Sequence, residues 1–245
     1  MLWGVSEEGG LRAEGRERRE PGRRSILAWR EELQAVAHER ATEESLELWG
    51  QQAGEVPYFN YRWEHLLAVI GLCDWLGREL GADLEVLSAA VWLHDIVKSH
   101  TPELSGVSDA DAAAEEARRI LLRTDFPHSK VDAVCEAIRL HEGLYKDYRI
   151  EQAEAAILWD ADKLSKLGAI HLVHNLCVRP AFDPIFQGKP TDTDLVLHSE
   201  EEWLELGEKI VASMNTEPGR LEAERRLSFL RQFTQELTRE WKKYR

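Results

Sequence analysis

The chain has 245 residues, with 45 Asp and Glu against 31 Lys and Arg, a formal charge of −14. Such a field repels polyanions, so bulk binding to DNA, RNA or an anionic membrane is excluded as the organising function, and any phosphate-bearing partner must be held by local groups. At 43% hydrophobic and 31% charged residues the composition is that of a soluble globular chain with material for one large core, not of a collagen-like, coiled-coil or disordered one.

Residues 1–24 carry six Arg, five Glu and five Gly and lack the apolar segment of a signal peptide, so a loose N-terminal tail is expected. Three cysteines, Cys73, Cys135 and Cys177, form no CxxC pair and are too few for a disulfide framework, which fits a reducing cytoplasm. The richest apolar run, Val86 to Val97, is interrupted by His94 and Asp95 and falls short of the roughly 18 residues of a membrane span.

Ser25 is placed to cap a first amphipathic helix through about Trp49, with Ile26, Trp29, Leu33 and Val36 at helical spacing. Gly54 and Pro57 break it, and a second helix from about Tyr58 or Tyr61 to Gly81 puts Leu66, Val69, Ile70, Cys73 and Leu76 on one face, with His65 inside it. A third, from about Leu84 to Lys98, is apolar on nearly all sides around His94 and Asp95. Helices follow at about Asp109–Arg123, Ser129–Glu142, with His141 at its end, and Glu151–Cys177, with Asp160 and Asp162 embedded in an apolar face. Val178 to His198 holds Pro180, Pro184 and Pro190 without helical period and reads as a loop or lid. Glu201–Met214 and Pro218–Trp241 read as closing helices. No strand-like alternation and no repeat is evident, so the fold class is all-α.

His65, His94, Asp95 and Asp162 are ionisable groups predicted on or beside buried faces. Burying such groups costs several kcal/mol unless they are paired, neutralised or metal-bound. One divalent cation resolves all four, and a mixed imidazole and carboxylate set suits Mn, Fe, Co, Ni or Zn better than Ca or Mg. Taken singly, each has an ordinary role: His65 as a hydrogen-bonded core histidine, Asp162 as a partner for Lys166 one turn on.

Arg62-Trp63-Glu64-His65, Ala89 to Lys98 with His94-Asp95, Ile138-Arg139-Leu140-His141 and Asp160-Ala161-Asp162-Lys163-Leu164 together resemble the HD-domain metal-dependent phosphohydrolases, over about residues 58–175. The resemblance implies an HD-domain helical bundle with additional N- and C-terminal helices, and one metal bound by His65, His94, Asp95 and Asp162. It divides the chain into a tail (1–24), an N-terminal extension (25–57), the HD core (58–177), the Pro-rich loop (178–199) and C-terminal helices (200–245). Asp162 is preferred over Asp160 because the family's acid precedes a basic residue and leucine. Two-metal relatives carry further histidines, and His141 sits where one falls, but this chain has Asp109 and Asp111 where such members place a histidine. One metal is therefore expected.

The implied activity is hydrolysis of a phosphate ester of a small molecule, a nucleotide among the candidates, in the cytoplasm and without long nucleic acid or membrane as partner. Four protein ligands leave two places open on an octahedral ion but saturate tetrahedral zinc, which favours Mn, Co, Ni or Fe over Zn or Mg. The expected catalytic residues are Asp95, Lys98 as a phosphate-binding charge with Arg62 or Lys166 as helpers, and His141 as general acid or as partner to another site group. Alternatives are a di-iron oxidative enzyme of the same fold, which needs His141 and a further ligand, and a regulatory module that binds metal or nucleotide without turnover.

Overall fold

The computed structural model describes residues 28–97, 108–182 and 195–243. Within them lie nine α-helices and one 3-10 turn, and no strand. The expected N-terminal tail, Lys98 and most of the Pro-rich segment lie outside the described residues.

Helix α1 (Ala28–Leu48) buries Trp29, Leu33, Ala37, Ala41 and Ser45, one residue per turn, and Trp29 meets Phe126 edge to face at 4.9 Å. Helix α2 (Tyr61–Leu80) starts at Asn60, whose side chain accepts from Trp63 N and from Ser45 Oγ, fastening α2 to α1. It ends at Gly81, whose φ of 68° few side chains tolerate. Helix α3 (Leu84–Leu93), capped by Asp83 on Glu85 N and Val86 N, is the central element: α1, α2, α4 (Asp109–Leu121), α5 (Val131–Leu140) and α6 (Ala153–Leu164) all pack on it. That is why Val86, Leu87 and Ala89 to Leu93 are all buried. At Gly77 a Cβ would stand 2.6 Å from Leu87 Cδ1, so the α2–α3 crossing depends on a missing side chain. The alanines of α4, Ala110, Ala113, Ala114 and Ala117, admit α5 at similarly close range. Helices α7 (Gly168–Phe182), α8 (Leu195–Ser213) and α9 (Glu217–Lys243) complete the body.

Four boundaries differ from the sequence reading. The third helix stops at Leu93 instead of Lys98, because His94 Nδ1–H takes the Val91 carbonyl and Ile96 N bonds Leu93 O in a tighter turn. The stretch 151–177 is two helices: Ser165 caps α6, and Gly168 at φ 81° turns the chain into α7. Helix α7 then runs on through Pro180 to Phe182, so 178–182 is not loop. Pro180 falls in its last turn, where it withholds one hydrogen bond from the Leu176 carbonyl and only two helical residues follow. Helix α8 begins at Leu195, six residues before the expected Glu201.

Candidate metal centre

The ends of α3, α5 and α6 meet the middle of α2, and this brings His65, His94, Asp95, His141 and Asp162 together. His65 is 2% exposed, His94 1%, His141 7% and Asp162 3%. His65 Nε2 lies 3.3 Å from Asp162 Oδ1 and 3.9 Å from Asp95 Oδ2. His94 Nε2 lies 3.6 Å from Asp95 Oδ2, and His141 Nε2 3.6 Å from Asp95 Oδ1. His94 and Asp95 follow the last residue of α3, His94 still with helical backbone angles (φ −61°, ψ −32°), so both reach the centre from the end of the helix.

The tautomers follow from the outer contacts. His94 Nδ1–H donates to Val91 O at 2.8 Å, and His141 Nδ1–H donates to Ile138 O. Ser165 Oγ donates to Asp162 O at 2.6 Å, so its lone pair accepts from His65 Nδ1–H at 3.1 Å. All three imidazoles therefore carry a proton at Nδ1 and turn Nε2 toward the same spot. Burial pushes His94 down to about 3, and burial followed by the Lys166 ammonium lowers His65, so both remain neutral donors at neutral pH.

Among the described residues, five buried side-chain atoms lack a hydrogen bond, and His65 Nε2, His94 Nε2 and Asp162 Oδ1 are three of them, Asp162 Oδ1 having an ion pair with the Lys166 ammonium at 3.1 Å. Orphaned atoms of this kind cost free energy, and their convergence is what a cation site requires. His65, His94 and Asp162 present donor atoms within 4.8 Å of one another, as do His94, Asp95 and His141. The two triads share His94, which has only Nε2 to offer, so they are halves of one centre. The residues fit a divalent ion with nitrogen and oxygen donors.

The carboxylates have their own partners. Arg62, on α2, donates to Asp95 Oδ2 and grips Glu44 of α1 with two nitrogens at 2.9 and 2.6 Å. These anions hold Arg62 above its ordinary pKa although burial acts downward. Lys163 Nζ contacts Asp162 Oδ2 and donates to His141 O at 3.2 Å, while Lys166 Nζ is 3.1 Å from Asp162 Oδ1. Burial alone would raise Asp162, but Lys163, then Lys166 and His65, hold it well below the usual carboxylate range. Glu44, Asp95 and Asp162 thus balance Arg62, Lys163 and Lys166. Beside them opens a cavity of about 250 Å³ lined by Asp95, Asp109, His141, Glu142, Lys163 and Lys166.

Asp160, the second acid of its motif, points elsewhere: it accepts from Asn215 and Thr216 at the turn between α8 and α9. His171 and His174 join no cluster of three donors among the described residues. Glu44, Lys163 and Ser165 were not singled out from sequence. Glu44 is 18 positions from its partner, and Lys163 and Ser165 act through a helix end that periodicity does not mark. Ser165→Ala is expected to leave the His65 ring unoriented and to weaken Mn²⁺ binding about 10–100-fold by calorimetry. Unchanged affinity would show that the hydroxyl does not orient the ring.

The family model for the HD domain matches residues 62–167. A solved structure of a predicted HD superfamily hydrolase from an uncultured Thermotogales bacterium is 23% identical, with a TM-score of 0.54 over 86% of this chain and 92% of that one. Bacillus subtilis YpgQ in complex with ADP is 22% identical, with a TM-score of 0.53 over 83% and 97%. These two likenesses are of fold. Ribonuclease Y of Cutibacterium acnes is 43% identical over 56 residues, 23% of this chain, and the chain spans only 10% of that protein's length. The matched segment, residues 62–167, is an HD domain: it runs from Arg62 to the turn after Asp162 and carries all five converging side chains.

Proposed function

We propose that the protein is a metal-dependent phosphohydrolase that cleaves a phosphate ester of a small molecule, with nucleotides the favoured class. The observation that carries this reading is the convergence of His65 Nε2, His94 Nε2 and Asp162 Oδ1, buried and without hydrogen bonds, beside a cavity lined by two ammonium groups. The bound ADP of Bacillus subtilis YpgQ supports the nucleotide class. His65, His94, Asp95 and Asp162 would hold one divalent ion, and Mn, Co, Ni or Fe leaves coordination places open where tetrahedral zinc would not. Such an ion supplies Lewis acidity at a phosphoryl oxygen and lowers the pKa of a coordinated water.

The chain's own groups prepare the rest. The inner cluster is electroneutral, three carboxylates against three cations, with His65 and His94 neutral. A divalent cation therefore makes it a doubly positive socket, matched to a phosphate dianion. Lys166, 24% exposed, and Lys163 face the cavity and draw the anion in. Arg62 fixes the Asp95 carboxylate while Glu44 fixes Arg62. His141 has its Nδ1–H committed to Ile138 O, so a proton passed to a leaving oxygen moves at Nε2. Lys98, expected to bind phosphate, lies outside the described residues.

The test is metal analysis of protein purified without added metal, followed by a phosphatase screen with Mn, Co, Ni, Mg and Zn. About one ion per chain and phosphate release from a small ester are expected. Two irons per chain with no phosphate release would favour the oxidative reading, to which the third imidazole, His141, lends its specific support. Metal without turnover of any phosphate would favour a regulatory module.

A further inference from the structure

A second concentration of positive charge lies outside the metal centre. A cavity of about 320 Å³ is lined by Lys146, Arg149 and Lys209 together with Tyr145, Tyr148 and Asp147. Lys146 Nζ sits 5.1 Å from the Tyr148 ring centroid and Lys209 Nζ 5.4 Å from that of Tyr145. Both rings are about half exposed. Many of the chain's other cations are neutralised: Arg118 pairs with Asp132, Arg139 with Glu115, Arg226 with Glu222 and Arg231 with Glu208. Lys146, Arg149 and Lys209 form no ion pair among the described residues, and the lining offers them one carboxylate between three cations. In a molecule of charge −14, leaving three neighbouring cations unneutralised costs mutual repulsion that a bound polyanion removes. The tyrosine faces meanwhile restrict the ammonium groups and lower the entropy lost when an anion binds.

We propose that this cavity binds the oligophosphate part of a ligand, at a site separate from the metal centre and independent of metal. Commitment to phosphate chains rather than a single carboxylate or phosphate follows from the cation set, in which an arginine fork and two point charges ring one space and a multiply charged chain can meet all three. The Trp159 indole carries Lys146 Nζ at 4.6 Å and Lys163 Nζ at 4.5 Å from its centroid, and thus stands between this cavity and the metal centre in the chain of contacts. The phosphates belong either to the far end of the hydrolysed substrate or to a separate effector.

The full-length, metal-stripped protein is titrated with inorganic tripolyphosphate by calorimetry. Lys146→Ala/Arg149→Ala/Lys209→Ala is expected to weaken binding at least tenfold, while Lys166→Ala, at the metal-centre cavity, changes it less than twofold. Thermal melting verifies that the triple variant, altered at surface positions, remains folded. No binding to the native protein, or binding retained by the triple variant and lost with Lys166→Ala, overturns the proposal. These outcomes need no turnover, so they fail separately from the hydrolase reading. With metal loaded, two further arms identify the source. A far-end subsite raises KM for a nucleoside triphosphate about tenfold in the triple variant, with kcat and the kinetics of p-nitrophenyl phosphate unchanged. An effector site makes tripolyphosphate alter kcat for p-nitrophenyl phosphate in the native protein and not in the triple variant.

Discussion

Replacing His94 with alanine is expected to abolish the stabilisation of the protein by divalent metal while leaving the metal-free protein folded, though less stable. In the native chain an ion present at a hundred times its dissociation constant adds about 2.7 kcal/mol, which for a chain of this size raises Tm by roughly 5–10 °C at ~2–4 °C per kcal/mol. His94 contributes only Nε2 to the centre, since its Nδ1 is committed to Val91 O. The Mn²⁺-induced shift in Tm should therefore vanish in the variant, and phosphatase activity should fall further than the roughly 10–100-fold loss expected for an outer partner such as Ser165. The metal-free protein loses about 2–4 kcal/mol, because the substitution empties a buried ring position and removes the Nδ1–H bond to Val91 O, offset in part by removal of a buried nitrogen that has no hydrogen bond. Differential scanning fluorimetry with and without metal separates the two effects. A variant that keeps its metal-induced shift would place the ion elsewhere.

The all-α class and the packing helices were legible because they are written in repeated local signals. Leu33, Ala37 and Ala41 recur one per turn, and the run from Leu87 to Leu93, apolar but for Ser88, announces a central helix with neighbours on nearly every side. The positions of His65, His94 and Asp162 were legible for the same reason, since an ionisable group interrupting an apolar face demands an explanation. What escaped was set by single backbone events. Gly168 sits inside an apolar period that continues from α6 to α7, and only its positive φ separates the two helices. Pro180 suggests a loop, yet it stands in the last turn, where the one hydrogen bond it removes helps to end a helix already formed rather than prevent one. The partners of the carboxylates escaped for another reason. Arg62 could as readily have faced solvent, and its burial between Asp95 and Glu44 depends on α1 crossing the mouth of the site, a contact 18 residues away in sequence.

Asp160 and Asp162 are two apart on one helix, about 200° around its axis, so they cannot serve one ion. Asp162 turns to the imidazoles, and Asp160, fully buried, turns to the α8–α9 corner, where Asn215 N and Thr216 N reach its two oxygens at 2.8 and 2.7 Å and their side chains at 3.1 and 2.7 Å. Burial raises the Asp160 pKa, opposed by these hydrogen bonds. Asp160→Ala would leave four donors without their acceptor, two of them backbone N–H groups, and is expected to destabilise the fold by about 3–5 kcal/mol. Gly219 supplies an independent probe. A Cβ there would stand 2.5 Å from Asp160 Oδ2 and 2.7 Å from Thr216 Oγ1. In an exposed helix Gly→Ala stabilises by up to about 1 kcal/mol, but Gly219→Ala must push the carboxylate off its donors and is expected to destabilise by about 1–3 kcal/mol. Urea unfolding followed by circular dichroism measures both, and metal analysis of the folded variants should find the native stoichiometry. If Gly219→Ala stabilised the protein, Asp160 would not be the clamp that joins α6 to the start of α9. If Asp160→Ala emptied the centre of metal while folding normally, the division of labour between the two aspartates would be reversed.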